Sequence, residues 1–350
     1  MMKSRSVIAT PPGATIKEQL LDRGLSQKEF ALRMDMSEKH ISKLINGEVQ
    51  LTPDVAYRLE MVLGVPANFW NNLEATYREK LVKVKVENAM EADKELAKQF
   101  PYSELAKLGW VPKTKKLTEK VINLRKFFEV VNLEVIQNTQ ISKIACRRLS
   151  ITEKGDLALL VWAQKAKIEA RKIDTSSIDL KTLKKIISQI RCMTIMDPEY
   201  FCPELINLLA DCGIALVFLP HISGSFLHGA TFYDGKKIVI GLTVRGKDAD
   251  KFWFSLFHEL GHVLLGHINQ VDGTTEEDEE AADNFAKETL ISSTEFHRFT
   301  SQKDFSKTTI CSFAQEQNIL CGIVVGRLQK EGFINYNCYN DLKKKYALEA

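Results

Sequence analysis

The sequence contains no apolar run close to the roughly 20 residues that a membrane-spanning helix needs. Its first residues, MMKSRSVIATPPG, lack the apolar core of a secretory signal peptide. Fibrous and disordered classes are excluded as well, since 45% of the 350 residues are hydrophobic and 27% are charged. We therefore expect a globular cytoplasmic protein without a membrane partner.

Closely spaced cysteine pairs are also absent. The seven cysteines are scattered along the chain, and no two of them form a C-x-x-C pair. This pattern excludes a disulfide framework and a cysteine-based zinc site. We expect reduced cysteines that are buried as small hydrophobic side chains.

The length and the distribution of charge predict several domains. Residues 81–200 carry 23 Lys and Arg against 15 Asp and Glu, whereas residues 201–350 carry 14 against 20. We divide the chain into residues 1–80, a helical and basic connecting region over 81–200, and residues 201–350. Nucleic-acid contact is one reading of the basic clusters of the middle region, although a solvated helix face is the commoner one. The clusters are Lys113–Lys116, Arg147–Arg148 and Lys181–Lys185.

From Thr15 to Tyr77 the apolar residues recur at helical spacing, with turn signals between the helices. The first apolar stripe consists of Ile16, Leu20 and Leu21. Ser26 with Glu29 predicts a capped second helix, and Ser37 predicts the cap of a third. Two short helices joined by so tight a turn have the geometry of a helix-turn-helix. A small helical bundle with ordinary solvated charges is the alternative.

The stretch LSQKEFALRMDMSEKHISKLINGEVQLTPDVAYRLEMVLG resembles the helix-turn-helix of lambda-repressor-like transcription regulators. Through ANFWNNLEATY it is most similar to the antitoxin branch, whose members repress their own operons. The resemblance implies double-stranded operator DNA as a partner and a homodimer. Carried over by position, it implies phosphate contacts from Gln27 and Asn46 and base contacts from Glu38, Lys39 and Lys43. The DNA phosphates repel the Glu38 carboxylate, and this repulsion is unfavourable unless the carboxylate accepts a hydrogen bond from a cytosine amino group.

The strongest chemical pattern is FSLFHELGHVLLGH at 254–267. His258 and His262 lie one helical turn apart, so that both imidazoles can converge on one cation. Glu259 is placed to take a proton from a water beside that cation. The neighbouring apolar residues predict a buried helix, in which two histidines and a glutamate are costly unless a metal compensates them.

A zinc site of this type needs a third protein ligand. The next helical pattern, EEDEEAADNFAKETL, begins at Glu276. In it, Glu279 shares a face with Ala282 and Asp283, and we predict Glu279 as the third ligand. Asp283, one turn further, is predicted to accept a hydrogen bond from a ligand imidazole and fix its tautomer.

The pairing of H-E-x-x-H with a later E-x-x-A-D-x-F-A resembles the ImmA/IrrE family of metallopeptidases, whose best-known members cleave phage-type or stress-response repressors. The resemblance runs from about Pro203 to the carboxyl end. It implies zinc, the ligands His258, His262 and Glu279, and Glu259 as general base. Where the family often reads Leu-Met-Pro, this chain reads Leu-Ile-Ser at 290–292.

Three apolar segments, 214–219, 229–233 and 237–242, predict a small sheet with one hairpin. We therefore expect a mainly α fold with a small sheet (α+β): an all-α helix-turn-helix head, a helical middle and a zincin-like metallopeptidase domain. Residues 229–232 are the candidate edge for a peptide substrate. His228 and Tyr233 remain open as oxyanion donors. His267 is interpreted as a helix-end residue on a different face from His262.

Together these patterns predict a DNA-binding transcriptional regulator with a zinc-dependent endopeptidase domain. Its protein substrate would be a repressor or a toxin–antitoxin partner. One alternative is an antitoxin-type repressor whose metallopeptidase domain is only a latent or interaction module. Another is a broad-specificity peptidase that uses its helix-turn-helix for protein contacts.

Overall fold

The computed structural model describes residues 2–4, 7–138, 153–223, 228–243, 248–269 and 274–347. The Arg147–Arg148 cluster lies outside these residues. The chain forms two compact units, Met1–Glu95 and Leu96–Ala350. The division into three segments at residues 80 and 200 stays a prediction. Across the described ranges, no helix combines the length and the apolar character needed to cross a membrane.

The first unit is a cluster of short helices preceded by a small antiparallel ribbon. Its elements are β1 (Met2–Lys3), β2 (Ile8–Ala9), α1 (Gly13–Asp22), α2 (Gln27–Arg33), α3 (Glu38–Asn46), α4 (Pro53–Leu63) and the start of α5 (Ala67–Gln99). Side-chain oxygens cap three of the helices: Ser26 accepts from the amide of Glu29, Ser37 from that of His40, and Thr52 from that of Val55. These caps satisfy amides that have no partner within the helix, and they separate α2 from α3 at the predicted turn.

The core of the first unit is built from one face of each helix. Its buried side chains include Ile16, Phe30, Ile41, Leu59 and Trp70. The prediction that Leu21 joins the apolar stripe of α1 is wrong, since this side chain is 72% exposed. Successive helical residues are about 100° apart, and the buried position of Leu20 therefore turns its neighbour toward solvent.

The second unit is helical around a three-stranded sheet. Its helices before the sheet are α6 (Tyr102–Lys107), α7 (Leu117–Phe128), α8 (Glu153–Ala170), α9 (Leu180–Cys192) and α10 (Pro198–Asp211). The strands are β3 (Ile214–Leu219), β4 (Gly229–Asp234) and β5 (Lys237–Thr243). The helices after the sheet are α11 (Ala249–Leu264), α12 (Glu276–Leu290), α13 (Ser293–Thr300), α14 (Lys307–Glu316) and α15 (Cys321–Lys330). Short 3-10 helices occupy Glu134–Asn138, Met193–Ile195, His267–Asn269 and Asn340–Leu342.

The sheet has the order β3-β5-β4. β3 runs parallel to β5, with Ile214 opposite Ile238, and β4 runs antiparallel to β5, with Ala230 opposite Gly241. Within the described residues β4 is therefore an edge strand. The predicted α+β class, with a small sheet among helices, is confirmed.

Helix α11 lies in the core of the second unit. Leu256, Phe257 and Leu260 are fully buried, in one cluster with Leu205 of α10 and Ile240 of β5. The chain near the carboxyl end ties down the start of this helix through three contacts. The amide of Ala249 donates to the carbonyl of Lys344 (2.9 Å), Lys343 pairs with the buried Asp250 (2.8 Å), and Trp253 Nε1 donates to the Tyr346 hydroxyl (3.0 Å). Together, the packing and these contacts fix the helix that carries both predicted histidine ligands.

The expectation of buried cysteines holds only in part. Cys212 is buried, but Cys192 is exposed, and Cys202, Cys311, Cys321 and Cys338 are half-buried. Cys192 lies two residues after the buried Ile190 on α9, which is about 200° around the helix and faces solvent.

Candidate metal centre

The two histidines of α11 face the same point. The rings of His258 and His262 lie 4.6 Å apart between centroids, and their Nε2 atoms are 3.0 Å apart. The spacing of four residues places both side chains on one face of the helix. His262 is buried, and His258 is nearly so.

Helix α12 brings an acid to this pair. Glu279 Oε2 lies 3.3 Å from His258 Nε2, and Glu279 Oε1 lies 3.5 Å from His262 Nε2. A capping box between Thr275 and Asp278 starts the helix, so that Glu279 belongs to its first turn. Glycine at 261 favours the close approach of α11 and α12, because a methyl group there would lie 3.2 Å from the Cα of Ala282.

The three side chains fit a zinc ion. Zinc bonds nitrogen and oxygen at about 2.0–2.1 Å in a tetrahedral arrangement, which separates its ligand atoms by about 3.3 Å. The two Nε2 atoms are 3.0 Å apart, and the nearest Glu279 oxygens lie 3.3 Å (Oε2) and 3.5 Å (Oε1) from them, which is close to this value. With one ligand atom from each residue, the three atoms lie within 4.8 Å of one another. The Glu279 side chain is 39% exposed, so solvent reaches this residue. A cation at this point would also compensate the burial of the two imidazoles and of the neighbouring Glu259.

Glu259 lies on the side of the site that faces the sheet. Its side chain is buried, and its Oε2 accepts a hydrogen bond from the Thr231 hydroxyl of β4 (2.7 Å). The strand can approach so closely because residue 229 is a glycine. A methyl group there would lie 2.8 Å from Glu259 Oε1. The predicted base is thus held against the edge strand that we selected for peptide binding.

Asp283 contacts the first histidine. Its Oδ1 lies 2.7 Å from His258 Nδ1. An Nδ1–H that donates to this carboxylate leaves the lone pair of Nε2 directed at His262 and Glu279. This is the geometry required for the predicted role of Asp283.

The predicted DNA-contacting residues lie on α2 and α3 of the first unit. Gln27 is the first residue of α2, and all five side chains are exposed. Three of them, Lys39, Lys43 and Asn46, follow i, i+4, i+7 spacing and share one face of α3. Glu38 begins this helix. Contact of any of them with DNA stays a prediction.

Two parts of the chain match known families. Residues 16–70 match the family described as Helix-turn-helix, and residues 223–328 match a metallopeptidase-type family described as IrrE N-terminal-like domain. This is a helix-turn-helix protein with an IrrE-like domain. Both predicted resemblances are confirmed at the level of these families, and the assignment to the antitoxin branch stays a prediction. The IrrE-like domain includes the histidine pair, Glu259, Glu279 and Asp283.

A curated relative is similar to a short part of the chain. It is the uncharacterized HTH-type transcriptional regulator YddM of Escherichia coli K12, 36% identical over 63 residues. The match spans 18% of this chain and 67% of the relative. The similarity therefore concerns less than a fifth of this chain.

The interpretation of His267 as pointing away from His262 is wrong. His267 Nδ1 lies 3.0 Å from His262 Nδ1 in the IrrE-like domain. The helical spacing on which the prediction relied ends at Leu264, and Gly266, with φ of 80°, turns the chain back toward the helix. Burial lowers the pKa of His267, which favours its neutral form.

Three polar residues of the IrrE-like domain were not predicted. The hydroxyl of Thr274 donates to Glu279 Oε1 (2.7 Å), Asp278 Oδ1 lies 3.4 Å from His267 Nε2, and Thr231 contacts Glu259 as described above. The T-x-x-D spacing at 275–278 could have identified Asp278 as a helix cap. No sequence pattern predicts the contacts of Thr231 or Thr274, because these contacts depend on the packing of separate segments of the chain.

Proposed function

We propose that this chain is a DNA-binding transcriptional regulator whose IrrE-like domain is a zinc-dependent endopeptidase. Its substrate is a repressor or another regulatory protein. The observation that carries the proposal is the convergence of His258, His262 and Glu279 at separations of 3.0–3.5 Å, with Glu259 beside them. With operator DNA as a partner, the regulator acts in the cytoplasm.

Each residue of the site has a separate role in the proposed peptide hydrolysis. Zinc held by the three ligands supplies positive charge that acidifies a water and polarises a carbonyl. Glu259 accepts the proton of the attacking water and delivers it to the leaving amine. Thr231 holds the Glu259 carboxylate in place for both transfers. The edge of β4 offers backbone groups to which a substrate can add as a further strand.

The first unit supplies the DNA-binding function. The free amides at the starts of α2 and α3 favour phosphate, and the exposed face of α3 with Lys39, Lys43 and Asn46 is suited to the major groove. The similarity to an HTH-type transcriptional regulator supports this part of the proposal. Operators read by this class of fold are two-fold symmetric, and we therefore propose a homodimer.

The activity is tested with Glu259→Gln, which keeps the size of the side chain and removes its basicity. Wild-type protein and the variant are incubated with repressors encoded near this gene, and cleavage is followed by mass spectrometry. We expect the variant to retain zinc and to lose cleavage by about 10²–10⁴-fold. Equal cleavage by both proteins would exclude Glu259 as the base. If wild type binds operator DNA and zinc but cleaves none of the repressors, the antitoxin-type repressor with a latent domain is favoured.

A further inference from the structure

A second line of polar contacts leads away from the proposed zinc site. His262 Nδ1 lies 3.0 Å from His267 Nδ1, and His267 Nε2 lies 3.4 Å from Asp278 Oδ1. The other oxygen of Asp278 accepts from the amide and the hydroxyl of Thr275, both at 2.8 Å. Both histidines are buried, and their rings meet edge to face. Asp278, which forms the capping box of α12 with Thr275, therefore also faces His267, the imidazole that contacts the predicted ligand His262.

The chemistry of this line permits only one arrangement of protons if His262 is a ligand. A neutral imidazole has one N–H and one lone pair. His262 must keep the lone pair of Nε2 for the metal, so its proton lies on Nδ1. His267 must then accept at Nδ1 and carry its own proton on Nε2, which faces the Asp278 carboxylate. The opposite arrangement would place a proton on His262 Nε2 and block ligation.

We propose that His267 and Asp278 are positioning residues that fix the tautomer and ring orientation of His262. The proposal rests on the proposed zinc site. Each histidine ligand would then be oriented by a carboxylate. Asp283 contacts His258 directly, and Asp278 acts on His262 through the imidazole of His267. This arrangement also couples the start of α12, the helix that carries Glu279, to the orientation of His262 on α11.

The first test measures zinc affinity by chelator competition in the full-length chain. His267→Phe keeps a ring but has no acceptor, and His267→Asn retains an acceptor close to the position of Nδ1. We expect about 10–100-fold weaker zinc binding for the Phe variant, as for other residues that orient metal ligands, and recovery of most of this loss by Asn. Unchanged affinity in the Phe variant would overturn the proposal.

The second test uses Asp278→Asn, compared with a control of equal charge change, to distinguish an effect on the histidine tautomers from an effect of the lost negative charge. The amide group of this variant can donate toward His267 Nε2 and so favour the wrong tautomer, although its shape is nearly unchanged. We expect weaker zinc binding, and no further loss when this change is combined with His267→Phe. Glu277→Gln is the matched control, because it removes the same charge from the same first turn of α12 at an exposed position. Equal losses in Asp278→Asn and the control would reduce the effect to helix charge and overturn the proposal.

Two further measurements distinguish a positioning role of His267 and Asp278 from a purely structural role, and from the case in which the proposed zinc site does not exist. Long-range ¹H–¹⁵N NMR of the zinc-loaded protein with ¹⁵N-labelled histidine should show His267 protonated on Nε2 in wild type and not in Asp278→Asn. The visible spectrum of the cobalt-loaded protein should change in His267→Phe. A thermal unfolding midpoint that falls while zinc affinity and tautomer stay unchanged would show a merely structural role. Wild-type protein that binds no zinc would overturn the proposed function as well, whereas wild-type binding with insensitive variants would overturn this inference alone.

Discussion

The hydroxyl of Thr231 donates to Glu259 Oε2 across 2.7 Å, and it thereby joins the edge strand β4 to helix α11. The strand proposed to bind substrate therefore also holds the residue proposed to move protons. Residue 229 of the same strand also lies close to this side chain, since a methyl group there would be 2.8 Å from Glu259 Oε1.

Replacement of Thr231 by Val removes this hydrogen bond and keeps the shape of the side chain. We expect cleavage to fall about 10-fold with unchanged zinc affinity, since a hydrogen bond to a charged group contributes about 1.5–3 kcal/mol and only part of it is lost in the transition state. Thr231→Ser, which retains the hydroxyl, is the control and should keep most of the activity. Equal rates for the Val and Ser variants would show that the contact does not assist the base.

Asp283 should affect metal binding and not the proton transfer. Asp283→Ala leaves His258 Nδ1 without its carboxylate, and we expect zinc affinity to fall about 10–100-fold by chelator competition. Glu280→Ala removes an acid from the exposed side of the same helix and should leave affinity unchanged. If both substitutions weaken binding equally, the effect is general electrostatics and the specific role of Asp283 is wrong.

How far the sequence predicts this site depends on whether a contact lies within one element or between elements. His258 and His262 could be paired from helical spacing alone, and the facing of Glu279 and Asp283 followed from the same rule. His267 could not, because a left-handed glycine ends the helical geometry just before it. Thr231 contacts Glu259 only through the packing of a strand on a helix, which no local pattern encodes.

Lys43 tests the proposed DNA-binding face. Lys43→Ala removes a charge from the exposed face of α3, and we expect about 1–3 kcal/mol weaker binding to duplex DNA from upstream of this gene. Lys17→Ala, an exposed lysine on α1, is the control and should cost little. Fluorescence anisotropy at fixed salt measures both. Equal losses would indicate that α3 has no special role in DNA binding.

We expect the contribution of Tyr346 to the free energy of unfolding to be lost at alkaline pH. Burial raises the pKa of its hydroxyl to about 12, from an ordinary value near 10. Between these values the unfolded chain releases the proton and the folded chain keeps it, so this contribution is complete below about pH 10 and is lost as pH rises toward 12. Urea unfolding of wild type and Tyr346→Phe should therefore show a stability difference that shrinks over this range. A difference independent of pH would contradict the assignment.

The central claim is that two histidines of one helix and a glutamate of the next bind a single zinc ion. Elemental analysis of purified protein, after equilibration with zinc and removal of the excess, tests it directly. We predict one zinc per chain in wild type and in Glu259→Gln, and none in Glu279→Ala that retains the helical content of wild type. Zinc-free wild-type protein, or full occupancy in Glu279→Ala, would contradict the account.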